Sequence, residues 1–161
     1  MEEPLVKIHY WLYPVSWIYG IGAYLRNKLF DWGYYQSKSF DVPVVCVGNL
    51  AVGGTGKTPH TEYLIKLLQQ TGANVAMLSR GYKRKSKGYV LATEKTDVKR
   101  IGDEPYQIKT KFPDIRVAVD ENRCHGIEQL MKLDNPKVDV VLLDDAYQHR
   151  HVKAGLNILL T

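Results

Sequence analysis

The chain has 161 residues, 45% of them hydrophobic and 24% charged, which is ordinary for a globular protein and enough to bury one sizeable core. Lysine and arginine outnumber the acids 22 to 17, and the resulting charge of +5 suits an anionic partner (nucleotide, phospholipid surface or nucleic acid) without choosing among them. The two cysteines, Cys46 and Cys124, form no metal-spaced motif, which excludes a disulfide-stapled scaffold and makes a reducing cytosol the simplest compartment.

Residues 1–40 differ in composition from the rest, holding all 3 tryptophans (Trp11, Trp17, Trp32) and 11 of the 17 aromatic residues. The uncharged stretch 10–25 is interrupted by Pro14, Gly20 and Gly22, and it falls short of the ~20 apolar residues needed to span a bilayer. Glu2 and Glu3 stand where a secretory signal carries positive charge. After Pro14, the positions Ile18, Ile21, Leu25, Leu29 and Trp32 approximate a helical stripe, and Arg26 and Lys28 lie nearby. An amphipathic helix of this kind can lie in the headgroup layer of a membrane, or it can pack on the core or on a partner subunit. The expected division is an interfacial helical segment at 1–40 and a second domain at 41–161.

From residue 41 the pattern alternates short apolar strands with helix-length segments. Strands are expected at 42–47, 74–78, 88–92, 115–119, 138–143 and 156–160. Helices are expected at 58–70, 103–111 and 122–133, the first ended by Gly72. The fold class is therefore α/β, a mainly parallel sheet with helices on both faces. The last strand ends at the final residue, which suggests the first part of a longer protein, because active-site loops in such sheets follow the strands' carboxyl ends.

The chemistry centres on residues 48–58, Gly48-Asn-Leu-Ala-Val-Gly-Gly-Thr-Gly-Lys-Thr58, between the first strand and the first helix. Strand, glycine-rich loop and helix are the setting of a phosphate-binding loop. Gly53, Gly54 and Gly56, with Thr55 among them, let backbone N–H groups approach phosphate oxygens. Lys57 would place a charge on the β- and γ-phosphates of a nucleoside triphosphate, and the Thr58 hydroxyl can ligate Mg2+. Ala51 stands where the strict pattern has glycine. The plain alternative is a glycine-rich turn before a helix.

Asp144 and Asp145 end an apolar strand, where phosphate-loop enzymes keep the carboxylate of the metal shell. Asp144 is the preferred metal-side acid and Asp145 the close second. Asp103, in Gly102-Asp103-Glu104-Pro105, reads either as a helix N-cap with Pro105 in the first turn or as a carboxylate that accepts a proton from a hydroxyl nucleophile. Arg80 and Arg123 are candidates for neutralising phosphate charge. His149 and His151 make a poor zinc pattern, and His149 reads as structural. Between Ser79 and Arg100 there are 8 basic and 2 acidic residues, either a solvated loop or a dock for anionic headgroups. Aromatics other than Tyr82 and Tyr89 are missing from that cluster, so nucleic acid is not expected, and no obligate protein partner is evident.

In order along the chain, segment 47–59, Ser79-Arg80-Gly81-Tyr82, Gly102-Asp103-Glu104-Pro105, Asn122-Arg123 and Asp144-Asp145-Ala146-Tyr147-Gln148-His149 resemble the tetraacyldisaccharide 4′-kinase family of lipid A biosynthesis. The likeness covers essentially the whole chain. Ala51 is usual there, whereas Ala146 replaces a residue that is commonly glycine. The resemblance implies a phosphate-loop (P-loop NTPase-like) fold preceded by a membrane-associating helix. It also implies transfer of the γ-phosphate of ATP to the 4′-hydroxyl of an acylated disaccharide 1-phosphate, at the cytoplasmic face of the bacterial inner membrane. Lys57 and Thr58 would hold phosphates and Mg2+, Asp144 and Asp145 would surround the metal, Asp103 would be the base, and Arg123 would stabilise the transferring phosphate. Members are considerably longer, and their second half supplies a smaller lobe and part of the sugar site.

Two rivals belong to other classes. A partner-regulated ATPase would carry a signature lysine at position 52, which is Val52 here. A non-catalytic nucleotide-binding module is the second.

Overall fold

The structure, a computed structural model, describes residues 13–49, 56–147 and 149–160. The chain divides into two compact units, residues 1–36 and 37–161.

The first unit holds α1 (Tyr13–Asp31), a 19-residue helix with Pro14 in its opening turn, where a missing N–H costs nothing. The helix forms where the spacing predicts it, but its apolar residues do not confine themselves to one stripe. Trp17, Ile18 and Tyr19 are each more than 70% exposed, and three consecutive helical positions point about 100° apart. Exposed aromatics therefore extend around much of the axis, and Trp32 lies beyond the helix end, so exposure does not single out the approximate stripe. Among the described residues no helix is long and apolar enough to cross a membrane. Tyr10 and Trp11 lie outside the described residues.

The second unit is an α/β layer structure. Its elements are β1 (Val44–Asn49), α2 (Lys57–Gln70), β2 (Val75–Ser79), β3 (Val90–Leu91), α3 (Val98–Ile101), α4 (Asp103–Lys111), β4 (Arg116–Val119), α5 (Arg123–Met131), β5 (Val140–Asp144) and β6 (Leu156–Leu160). They build a six-stranded sheet of order β3-β4-β2-β5-β1-β6. All pairings are parallel except β3 with β4. The expected boundaries shift by a few residues. The strand expected at 88–92 shrinks to two residues, and α3, a single turn too short to show a period, is new.

Successive strand residues face opposite sides of a sheet, and the core divides accordingly. Ala76, Leu78, Val141 and Leu143 pack with Ile127 and Leu130 of α5 on one face. Val75, Met77, Val140 and Leu142 pack with Ile65 of α2 and Ile108 of α4 on the other. Both β2 and β5 are buried along their full length, as central parallel strands covered on two faces must be. Cys46 is the small core residue expected of it, and burial pushes its thiol up to about 11. Gly72 follows α2 with φ 81°, the left-handed residue expected after a helix end.

One glycine fixes the geometry where β1 and β5 end. A Cβ on Gly48 would lie 2.6 Å from the Tyr147 Cβ, so the turn after β5 crosses β1 where only glycine leaves room. Gly48→Ala is expected to destabilise the chain by about 1–3 kcal/mol, as overpacking does, and to loosen that turn. Urea denaturation checks the first effect. A variant as stable as the parent would contradict the contact.

Candidate functional site

The carboxyl ends of the parallel strands collect the sequence-predicted residues along one edge of the sheet. Gly53, Gly54 and Thr55, with Asn49's neighbour Leu50 and the substituted Ala51, lie outside the described residues. The loop is described again at Gly56, whose φ of 75° is left-handed and suits glycine, and α2 starts at once with Lys57 and Thr58. Asp144 is the last residue of β5, paired in register with Val47 of β1. Asp145 follows with φ 51°, a left-handed conformation that aspartate tolerates, and its N–H donates to the Val47 carbonyl at 3.0 Å.

That turn separates the two acids. Lys57 Nζ meets Asp145 Oδ1 at 2.9 Å. Partial burial works against the Lys57 charge, but the Asp145 hydrogen bond, with Asp145, Asp144 and Glu104 as nearby charges, outweighs it and holds the ammonium above its usual range. Asp144 points elsewhere, into a small cleft lined with Thr58, Thr61, Glu104, Met77 and Ile108. Only 6% of Asp144 is exposed. Burial pushes its carboxyl up to about 6; Glu104 and Asp145 add to the rise, and Lys57 and Arg123 oppose it.

Arg123 opens α5, and Asn122 caps that helix by accepting from the His125 N–H at 3.2 Å. The Arg123 guanidinium is buried and donates to the Asp120 carbonyl at 2.6 Å, while its Nε has no partner among the described residues. Burial lowers its pKa, with Arg80 pressing the same way and Asp144, Asp145 and Asp120 opposing. Arg80 itself is exposed just past β2.

Asp103 is the first residue of α4 and is exposed. The helix-cap reading is corrected: the residue before the helix is Gly102, and no side chain caps the helix there. Gly102 has φ 90°, and a Cβ there would lie 2.8 Å from the Tyr82 carbonyl oxygen. The Ser79–Tyr82 and Gly102–Pro105 motifs, separate in sequence, thus abut through backbone. His149 and His151 lie with ring centroids 5.8 Å apart, and Gln148, just before them, lies outside the described residues.

Three participants are absent from the sequence reading. Glu104 lines the cleft beside Asp144, though its place next to Asp103 could have signalled it. Thr61, one helical turn after Thr58, is buried with a hydroxyl that has no partner among the described residues. Asp120, buried at the end of β4, holds His125 Nδ1 at 2.6 Å and accepts the Asn122 N–H at 2.9 Å.

The sequence profile of the tetraacyldisaccharide-1-P 4′-kinase (LpxK) family matches residues 8–161. The chain belongs to this family. It is 71% identical to the tetraacyldisaccharide 4′-kinase of Bacteroides fragilis strain YCH46, aligned over 100% of this chain and 43% of that protein. Against the enzyme of Bacteroides thetaiotaomicron the identity is 68%, covering 100% of this chain and 42% of that protein. The crystal structure of an "apo" form of LpxK from Aquifex aeolicus in complex with ATP matches with TM-score 0.81 and 42% identity, covering 92% of this chain and 47% of that one. The chain thus spans less than half the length of these tetraacyldisaccharide 4′-kinase relatives.

Asp144 gives a pH prediction. An unfolded aspartate titrates near ~4, so the folded chain holds this proton more tightly, and stability contributed by it is present at low pH and lost as pH rises through about 6. Without nucleotide or divalent cation, Asp144→Asn should exceed the parent in stability by about 3 kcal/mol at pH 8. The difference should shrink towards zero near pH 4. Denaturation curves for both proteins across this range check it, and a pH-independent difference would refute it.

Proposed function

We propose that this chain is the nucleotide-binding part of a lipid kinase that transfers the γ-phosphate of ATP to the 4′-hydroxyl of tetraacyldisaccharide 1-phosphate in lipid A biosynthesis. The observation carrying this reading is the convergence of Lys57, Thr58, Asp144 and Asp145 where β1 and β5 end, in a chain matched to the LpxK family from residue 8 onward. ATP as donor is supported by the ATP complex of the Aquifex aeolicus relative.

In this reading residues 41–161 form a phosphate-loop kinase domain. Gly53, Gly54, Thr55 and Gly56 cradle the phosphates with backbone N–H groups at the positive end of α2. Lys57, kept charged by Asp145, exchanges that carboxylate for the β- and γ-phosphates. The cleft suits a divalent cation: a hydroxyl at Thr58 and two carboxylates, Asp144 and Glu104, share it, and Asp144 is protonated too readily because its negative charge is poorly compensated. Thr58 and Asp144 would hold Mg2+, with Asp145 beside them. The ion would supply charge neutralisation for the phosphates.

Asp103, exposed at the start of α4, accepts the proton of the 4′-hydroxyl as the sugar oxygen bonds to the γ-phosphorus. The bond to the β–γ bridging oxygen breaks and ADP leaves. Arg123, buried and fixed through the Asp120 carbonyl, neutralises the charge of the transferring phosphoryl group. Residues 1–40 bring the chain to the membrane that holds the acylated substrate, the cytoplasmic face of the bacterial inner membrane. The exposed Trp17, Tyr19 and Tyr24 of α1, followed by Arg26 and Lys28, support an interfacial position.

The test is phosphate transfer from labelled MgATP to detergent-dispersed tetraacyldisaccharide 1-phosphate, for this chain and for a form extended to the length of its relatives. Asp103→Asn in the extended form should lower kcat by about 10²–10⁴-fold with ATP affinity kept. Lys57→Ala should lose both ATP affinity and transfer. An extended form that binds ATP but labels no lipid would overturn the kinase in favour of a nucleotide-binding or ATPase module.

A further inference from the structure

We propose that the basic loop between β2 and α4 is a docking surface for anionic phospholipid headgroups, built into the second unit in addition to whatever α1 contributes. The proposal rests on the lipid-kinase reading for its choice of partner, and on the loop's own construction for everything else.

The structure sorts the basic residues of this stretch into two groups. Arg84 turns inward: its side chain is 3% exposed, pairs with Glu121 at 2.7 Å, and donates to the Gly88 carbonyl at 2.8 Å. Ser86 is also partly buried, accepting from Arg84 at 3.2 Å and donating to the Arg100 carbonyl. Lys83, Lys85 and Lys87, the residues between and around these two, are all exposed. Alternate residues thus anchor the loop and alternate residues carry charge outward. The Lys85 N–H donates to the Lys99 carbonyl at 2.8 Å, which brings α3 alongside and adds the exposed Lys99 and Arg100.

Among the described residues none of these five cations makes an ion pair, whereas Arg84 between them does. Five like charges gathered on this loop and the adjoining α3 repel one another, and a loose loop would relieve that by spreading. This one is held by a buried arginine. Such an arrangement favours a partner with many negative charges spread over a surface, not a single enclosed anion. Nucleic acid fits less well, because stacking aromatics are few: Tyr82 is exposed under Lys83, but Tyr89 is half-buried with its hydroxyl enclosed. The same loop abuts Gly102 through the Tyr82 carbonyl, so it lies next to Asp103, where the lipid's hydroxyl is proposed to react. Headgroups of the surrounding bilayer would be at hand there.

The test uses the full chain with sedimenting vesicles of phosphatidylcholine, with and without phosphatidylglycerol, over a salt series. The triple variant Lys83→Gln, Lys85→Gln, Lys87→Gln should lose affinity for the phosphatidylglycerol vesicles by about a hundredfold at low salt. Its salt dependence should flatten, while binding to pure phosphatidylcholine and to MgATP stays unchanged. Unchanged binding to anionic vesicles would overturn the proposal, as would an equal loss on neutral ones. Loss of binding to a single-stranded oligonucleotide with vesicle binding intact would also overturn it, assigning the loop to nucleic acid. Phosphate transfer read in parallel separates the two readings. Lysine-dependent vesicle binding without transfer by the extended form removes the kinase and keeps the surface; transfer with lysine-independent binding does the reverse.

Discussion

The pairing of β1 with β5 is the constraint on which the site depends. Val47 lies opposite Asp144, so the strand that leads to the glycine-rich loop and the strand that delivers the acids end level with each other. A slip of one residue would turn Asp144 from its face of the sheet to the other. Register here is held from both sides: β5 is buried along its whole length between β1 and β2, and the turn beyond it is tied to β1 by the Asp145 N–H on Val47 and by Tyr147 across Gly48. The Lys57–Asp145 pair is a consequence of that alignment and not its cause. With the Asp145 carboxylate mostly exposed, such a pair contributes little to stability.

The charges at this edge are costly where they stand. Asp144 and Arg123 are both buried, and burial disfavours the charged form of each. They relieve one another only in part, because Glu104 adds to the negative side and Arg80 to the positive. A buried network assembled only for stability would pair its members directly. Here the positive groups Lys57 and Arg123 and the negative groups Asp144 and Glu104 are brought to one edge while Asp144 and Arg123 remain imperfectly compensated. That is the electrostatic condition for receiving a phosphate chain together with a cation, each compensating what the protein leaves unbalanced.

Much of this was legible in the sequence, for a physical reason. Central parallel strands are apolar on both faces, so Val140-Val141-Leu142-Leu143 announces itself as a continuous run. The helices α2 and α5 keep a period that their buried faces require. What escaped depends on shorter or longer range. A four-residue turn such as α3 has no period to read. Thr61 and Glu104 matter because α2 and α4 converge on the end of β5, and Asp120 because it sits between β4 and α5. The different settings of Asp144, in the cleft, and Asp145, on Lys57, follow from one left-handed residue, which the spacing of the sequence does not show.

The approach of Gly102 to the Tyr82 carbonyl shows how such a site can be placed with little side-chain machinery. The chain leaves β2 at Ser79, whose hydroxyl accepts the Gly81 N–H, and turns through Gly81 at φ 71°. A Cβ on Gly81 would meet the Ile101 carbonyl at 2.8 Å, and one on Gly102 would meet that of Tyr82 at the same distance. Two glycines therefore let two backbones touch reciprocally, one at each crossing. Ile101, fully buried between them, anchors the junction in the core. Asp103 then needs no hydrogen bond of its own to be positioned: it is the next residue along a backbone already fixed, and its carboxylate stays exposed. For a group proposed to take a proton from a substrate that arrives from outside, placement through backbone with the side chain left free is what the task requires.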